Sequence, residues 1–239
     1  MNQTAQDYFV RGLQFCQDSK FDQAVKALGQ AIELEPTHLD ALYNRAKAYF
    51  KLSNFHLAIK DFTQLIDLQP GNAFYYSERG VAYHLAKERG RALQDLDKAV
   101  ELEPRKAFRY ASRAFIKDYY GDLKGALQDY EKAIALDPDD AISHNNKGLV
   151  EEKLGYKERS QKSFKKADEL DPLYDEKKIK HDADTPEKET LNARDQAENA
   201  EDISTSRTKV FFNTMKNLMN SSDERKAFIN FVKELGRGG

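Results

Sequence analysis

The chain has 239 residues, of which 40% are hydrophobic and 33% charged, with a formal net charge of −2. That balance is too apolar for a disordered chain and too charged for a membrane protein, and it gives no general attraction to nucleic acid or anionic lipid. One cysteine, Cys16, excludes an internal disulfide framework and a cysteine-based zinc site.

The N-terminal residues Met1 to Asp7 show no basic start followed by an apolar run, so no signal peptide is read there. No stretch approaches the roughly 18 consecutive apolar residues of a membrane span, and the expected compartment is the cytoplasm. From residue 5 onward the sequence repeats. Five of its six prolines, Pro36, Pro70, Pro104, Pro138 and Pro172, follow one another at steps of 34 residues. With each proline taken as position 32, the repeats run 5–38, 39–72, 73–106, 107–140 and 141–174. Position 8 is then always small (Gly12, Ala46, Gly80, Ala114, Gly148), and so is position 20 (Ala24, Ala58, Ala92, Ala126, Ser160). Position 24 is always large: Leu28, Phe62, Leu96, Tyr130, Phe164.

Each repeat holds two runs of apolar residues at helical spacing. In the second repeat these are Ala41–Leu52 and His56–Leu68, separated at Ser53-Asn54; Gly121-Asp122 makes the corresponding break in the fourth. Proline ends the second run because it cannot continue a helix and pushes the preceding residue out of one. One pair cannot bury its own apolar faces, so pairs must stack.

This pattern over residues 5–174 resembles the tetratricopeptide repeat (TPR) family. The resemblance implies an all-α fold, a right-handed superhelical solenoid of antiparallel helix pairs. It also implies a protein-binding function, with the first helix of each pair lining a concave face through positions 2, 5, 9, 12 and 13. On this chain those positions give a nearly continuous apolar stripe. The candidate peptide-binding residues are Phe9, Leu13, Tyr43, Lys47, Phe50, Phe74, Val81, Phe108, Phe115 and Tyr119. Two readings of the stripe stand side by side: a surface for a helix or extended peptide, or aromatics packed against neighbouring repeats.

The TPR subclass that grips chaperone C-terminal carboxylates needs Lys and Asn at positions where this chain has Phe9 and Leu13. Asn44 matches, but Phe74 and Glu78 depart again, so that function is not expected. Position 7 is basic throughout (Arg11, Arg45, Arg79, Arg113, Lys147), which reads more readily as pairing with acids of adjacent helices, or as stems laid over apolar surface, than as a ligand contact. Position 11 changes from Phe15, Tyr49 and Tyr83 to Lys117 and Glu151, and position 17 is Arg89 in the third repeat, so altered packing is expected there.

Beyond the repeats, residues 175–204 hold ten acidic and five basic residues. They read as a solvated acidic linker, partly without fixed structure. Residues 205–239 hold seven basic and three acidic residues, with apolar residues again at helical spacing. This basic amphipathic tail offers Phe211, Phe212, Met215, Phe228 and Phe231 for an interaction: docking on the chain's own groove, a second partner or copy, or, less favoured, a membrane surface.

The five histidines are scattered, and no metal-ligand spacing, phosphate loop or nucleophile elbow is present. The chain therefore reads as a non-catalytic adaptor without cofactor or metal, binding a protein or peptide. The alternative is a structural subunit of a large assembly, such as a ciliary or cytoskeletal complex.

Overall fold

The computed structural model describes residues 3–170. Among these are ten α-helices and no strand. They fall into two compact units, the first ending at Pro104 and the second beginning at Arg105. The first unit holds α1 (Ala5–Gln17), α2 (Phe21–Leu34), α3 (Leu39–Lys51), α4 (Phe55–Leu68), α5 (Ala73–Leu85) and α6 (Arg89–Leu102). The second holds α7 (Ala107–Tyr119), α8 (Leu123–Leu136), α9 (Ala141–Lys153) and α10 (Lys157–Leu170). Within each unit every helix packs on the next in sequence, and α1 also touches α3, as α7 touches α9. Observed helices begin one or two residues before the apolar runs of the second repeat, at Leu39 and Phe55, within the usual spread of helix boundaries.

The first helix of each pair stops in the same way. The residue at position 15 has positive φ: Ser19 at 58°, Ser53 at 57°, Lys87 at 63°, Gly121 at 82° and Gly155 at 81°. The next amide reaches back to the helix, as in Lys20 N–H to Phe15 C=O at 2.8 Å and Asp122 N–H to Lys117 C=O at 2.9 Å. The position-15 amide donates to a second carbonyl, as in Gly121 N–H to Asp118 C=O at 3.0 Å. These two bonds form a Schellman motif, which satisfies carbonyls that the helix end would otherwise strand. Starts are held by side chains: Thr4 and Asp7 form a capping box, and Asn72, Asp122 and Asp140 accept from the first turns of their helices.

The two helices of a pair meet at positions 8 and 24. A Cβ on Gly12 would stand 2.6 Å from Leu28 Cγ, and one on Gly148 would stand 2.6 Å from Phe164 Cε1. The second helix therefore lies against the first helix's backbone. Leu28, Phe62, Leu96 and Tyr130 are all at or near zero exposure, and burying each such side chain contributes about 1.5–3 kcal/mol.

Position 7 supplies a second tie within the pair. Arg45 donates to Asp61 through Nε at 2.9 Å and Nη2 at 2.7 Å. Arg79 does the same to Asp95 at 2.7 and 2.8 Å, and Arg113 to Asp129 at 2.8 and 2.6 Å. All three aspartates, at position 23, are buried. Burial pushes the Asp61 carboxyl up, against the pull of Arg45. Arg79 also donates to Thr63 Oγ at 3.1 Å, tying the third repeat to the second.

The altered residues at position 11 add charge to this arrangement. Lys117 joins Asp129 at 2.8 Å. Glu151 is fully buried and receives Lys147 at 2.7 Å, Arg159 at 2.9 Å and Ser163 at 2.7 Å. Where earlier repeats place an aromatic ring, the fifth builds a polar cluster. Arg89 stays on the exposed surface.

Two measurements follow from these ties. Gly121→Ala adds a Cβ that meets nothing within 4 Å, so its cost is that of the left-handed backbone, about 1 kcal/mol, read from urea unfolding. Asp95→Ala strands the Arg79 guanidinium and costs about 3–5 kcal/mol, whereas Arg79→Leu combined with Asp95→Leu costs much less; equal losses in the two variants would show that the pair is not acting as a buried ion pair.

Candidate functional site

The candidate side chains ride on the first helices of the pairs. In the first unit, Phe9 on α1 is half-buried, its ring centroid 4.8 Å from that of His38. His38 is itself held, its Nδ1 accepting from Ala41 N–H at 3.3 Å to cap α3. Leu13 is half-buried one turn on. On α3, the Tyr43 ring lies 5.5 Å from Phe74 of α5 and 6.4 Å from Phe62, and the Lys47 ammonium sits 5.3 Å over the Tyr43 ring. Phe74 and Tyr43 thus bridge adjacent repeats while each keeps part of its surface in solvent.

Phe50 and Val81 belong to the packing beneath this row. Phe50 is 9% exposed, wedged between Phe55 and Phe62 at 5.8 and 5.9 Å, and Val81 is 5% exposed. His84, one turn after Val81, is buried as well.

In the second unit, Phe108, Phe115 and Tyr119 on α7 are half-buried. The Arg109 guanidinium lies 5.2 Å from the Phe108 ring, and Tyr119 meets Tyr120 edge-on at 5.2 Å. Beside Tyr119, Asp118 accepts both carboxylate bonds from Lys153 of α9 at 2.6 Å, joining the first helices of the fourth and fifth repeats. In each unit the aromatic rings have charged neighbours, Lys47 beside Tyr43 and Asp118 beside Tyr119. Among the described residues, no group of three His, Cys, Asp or Glu is placed to hold a metal ion, and no helix is long and apolar enough to cross a membrane. The tail residues Phe211, Phe212, Met215, Phe228 and Phe231 lie outside the described residues.

Sequence reasoning placed the ladder at position 7 on neighbouring acids, and the ladder is so placed in the second to fourth repeats. It did not find the buried imidazole of His84, because position 12 reads as a surface position.

Family models described as TPR repeat and tetratricopeptide repeat match the chain over residues 12–53, 39–72, 120–155 and 141–172. The chain carries tetratricopeptide repeats. The TPR fold is a protein-binding scaffold, and the matched models are repeat models. A crystal structure of MamA is similar at 27% identity, with a TM-score of 0.61, covering 71% of this chain and 96% of that one. A MamA structure from Desulfovibrio magneticus RS-1 is 21% identical with a TM-score of 0.64, covering 72% of this chain and 97% of that one. YrrB, described as a TPR protein with an unusual peptide-binding site, is 20% identical with a TM-score of 0.56, covering 70% of this chain and 87% of that one. No curated protein sequence matches the chain.

Burial of His84 gives the TPR array a pH signature. Desolvation lowers its pKa from 6.5 to about 4. The unfolded chain then binds this proton more readily than the folded one. Stability is complete above pH 6.5 and falls as pH drops from there to about 4, by about 3 kcal/mol in all. His84→Leu should flatten the urea midpoint across that window; an unchanged slope would place the titration elsewhere.

Proposed function

We propose that this TPR protein is a non-catalytic adaptor that binds a helix or extended peptide of a partner protein on the first-helix surfaces of its repeats. The observation that carries this reading is the half-exposed aromatic row: Phe9, Leu13, Tyr43, Lys47 and Phe74 in the first unit, and Phe108, Phe115 and Tyr119 in the second. Each ring is fixed by a neighbour, so little rotamer freedom remains to be lost on binding. Each also keeps apolar area in water, which a partner's side chains can cover. Lys47 over Tyr43 places a positive charge beside that ring, which suits a ligand that carries an acidic residue next to its apolar anchors.

We propose that the basic tail over 205–239, whose apolar residues recur at helical spacing, regulates the surface. Hydrogen exchange on the full chain tests this: protection of amides over 207–236, together with faster exchange on α3, α5 and α7 when 205–239 is deleted, supports tail docking. A tail that exchanges as free peptide removes the regulatory part and leaves the adaptor part standing.

For the surface itself, Phe74→Ala combined with Phe115→Ala should retain the helical circular dichroism of the native chain. The same variant should weaken binding of a partner peptide selected on the native protein by at least about tenfold. Undiminished binding would move the ligand off this surface.

A further inference from the structure

Repetition lets one repeat serve as the control for another. In the second, third and fourth repeats the position-7 arginine is met by a position-23 aspartate. The first repeat keeps the arginine, Arg11, but has Ala27 at position 23. Among the described residues no hydrogen bond or ion pair reaches Arg11. Its guanidinium carbon lies 5.4 Å over the Phe15 ring.

Position 25 shows a second omission. Thr63 accepts from Arg79 there, but Gly29 occupies the place facing Arg45, and a Cβ on Gly29 would stand 3.6 Å from Arg45 Nη1. Two side chains are thus missing from one face of α2. The result is an opening of about 570 Å³ between α1, α2 and α3, walled by Tyr8, Phe15 and Tyr49 and reached by Arg11 and Arg45. Lys26 adds positive charge, and Glu33 is the one carboxylate on the lining, close enough to attract Arg45. On α1, helical spacing puts Tyr8, Arg11 and Phe15 on the side roughly opposite the Phe9–Leu13 row, so the opening is separate from the aromatic surface.

We infer that this cleft binds a carboxylate side chain on an acidic segment of a partner protein. Arg11 stands exposed at the repeat position from which its counterparts bind Asp61, Asp95 and Asp129, and an incoming carboxylate supplies the missing acceptor. Planar bidentate pairing suits guanidinium and carboxylate. The three aromatic walls cover the apolar neighbours of that residue. Arg45 stays bound to Asp61 and presents its free Nη1 edge as a second donor.

The test is fluorescence anisotropy on the full chain with a labelled acetyl-Leu-Asp-Phe-Glu-Leu amide peptide and its Asn/Gln counterpart. The acidic peptide should bind saturably, and the amide counterpart at least about tenfold more weakly. Arg11→Gln should weaken the acidic peptide by at least about tenfold. Ala27→Asp restores the acid that the other repeats carry, so it should weaken binding equally while its melting temperature stays at or above the native value. Phe74→Ala should leave this binding unchanged, so failure here is distinct from failure of the aromatic surface. Equal affinity for the two peptides, absence of saturable binding, or native affinity in a well-folded Ala27→Asp chain would each overturn the assignment. Tighter binding after neutralising the acidic stretch 175–204 would overturn the assignment to a partner and give the site to the chain's own carboxylates.

Discussion

Everything else in each repeat depends on how closely its two helices approach. A small residue at position 8 lets a large one at position 24 press against the backbone, as Gly12 admits Leu28 and Gly148 admits Phe164. At that separation the position-7 and position-23 side chains come within direct bonding range. The arginine–aspartate pairs are therefore consequences of close packing before they are contributors to it. A buried ion pair adds little net stability compared with well-packed apolar residues, yet it is costly to break on one side. Its effect is to penalise any sliding of one helix along the other. The same distance fixes the connection between helices: the chain must reverse at once, and it does so through a left-handed residue at position 15 in all five repeats.

How much of this was legible in the sequence follows from which contacts are local. The prolines at 34-residue steps, the small position 8 and the large position 24 announce helix pairs without any structure, because one repeat's meaning is checked by the next. The Arg45–Asp61 type of pair was legible too, since residue and partner recur 16 positions apart. The break between the helices was legible at Ser53-Asn54 and Gly121-Asp122, but its left-handed backbone has a compositional sign only where glycine stands, at Gly121 and Gly155. Ser19, Ser53 and Lys87 adopt the same conformation with no compositional signal, and only the hydrogen-bonded frame around them imposes it. The row of position-5, 9 and 12 side chains was the least legible. Tyr43 and Phe50 are both aromatic and lie two turns apart on one helix, yet one stays half-exposed and the other is wedged between Phe55 and Phe62. That difference depends on which residues the next helices supply, and no periodicity within α3 encodes it.

The second unit solves the same packing problem with more charge. Lys117 takes an aromatic's place and shares Asp129 with Arg113. In the fifth repeat Lys147, Glu151, Arg159 and Ser163 form one network around a carboxylate with no solvent exposure. Burial alone would raise the Glu151 carboxyl. Bonds from Lys147 and Ser163, with the charges of Lys147 and Arg159, outweigh it and hold the carboxyl below its ordinary value. A cluster of this kind is tolerable because every member is satisfied.

The first repeat departs in the opposite direction, by leaving groups out. In an array built on one scheme, deleting a side chain removes an internal partner without disturbing the backbone, since the neighbouring repeats maintain the geometry. Ala27 in place of an aspartate does not loosen α1 against α2, because Gly12 and Leu28 still meet. What changes is the state of Arg11, a donor set in the right place with no built-in acceptor. A solenoid can acquire a binding site by this route at small structural cost: the scaffold is held by the contacts that remain, and recognition arises from the one that is withheld. The aromatic row follows the same logic, since Tyr43 and Phe74 hold each other in place and leave one face for another chain to cover.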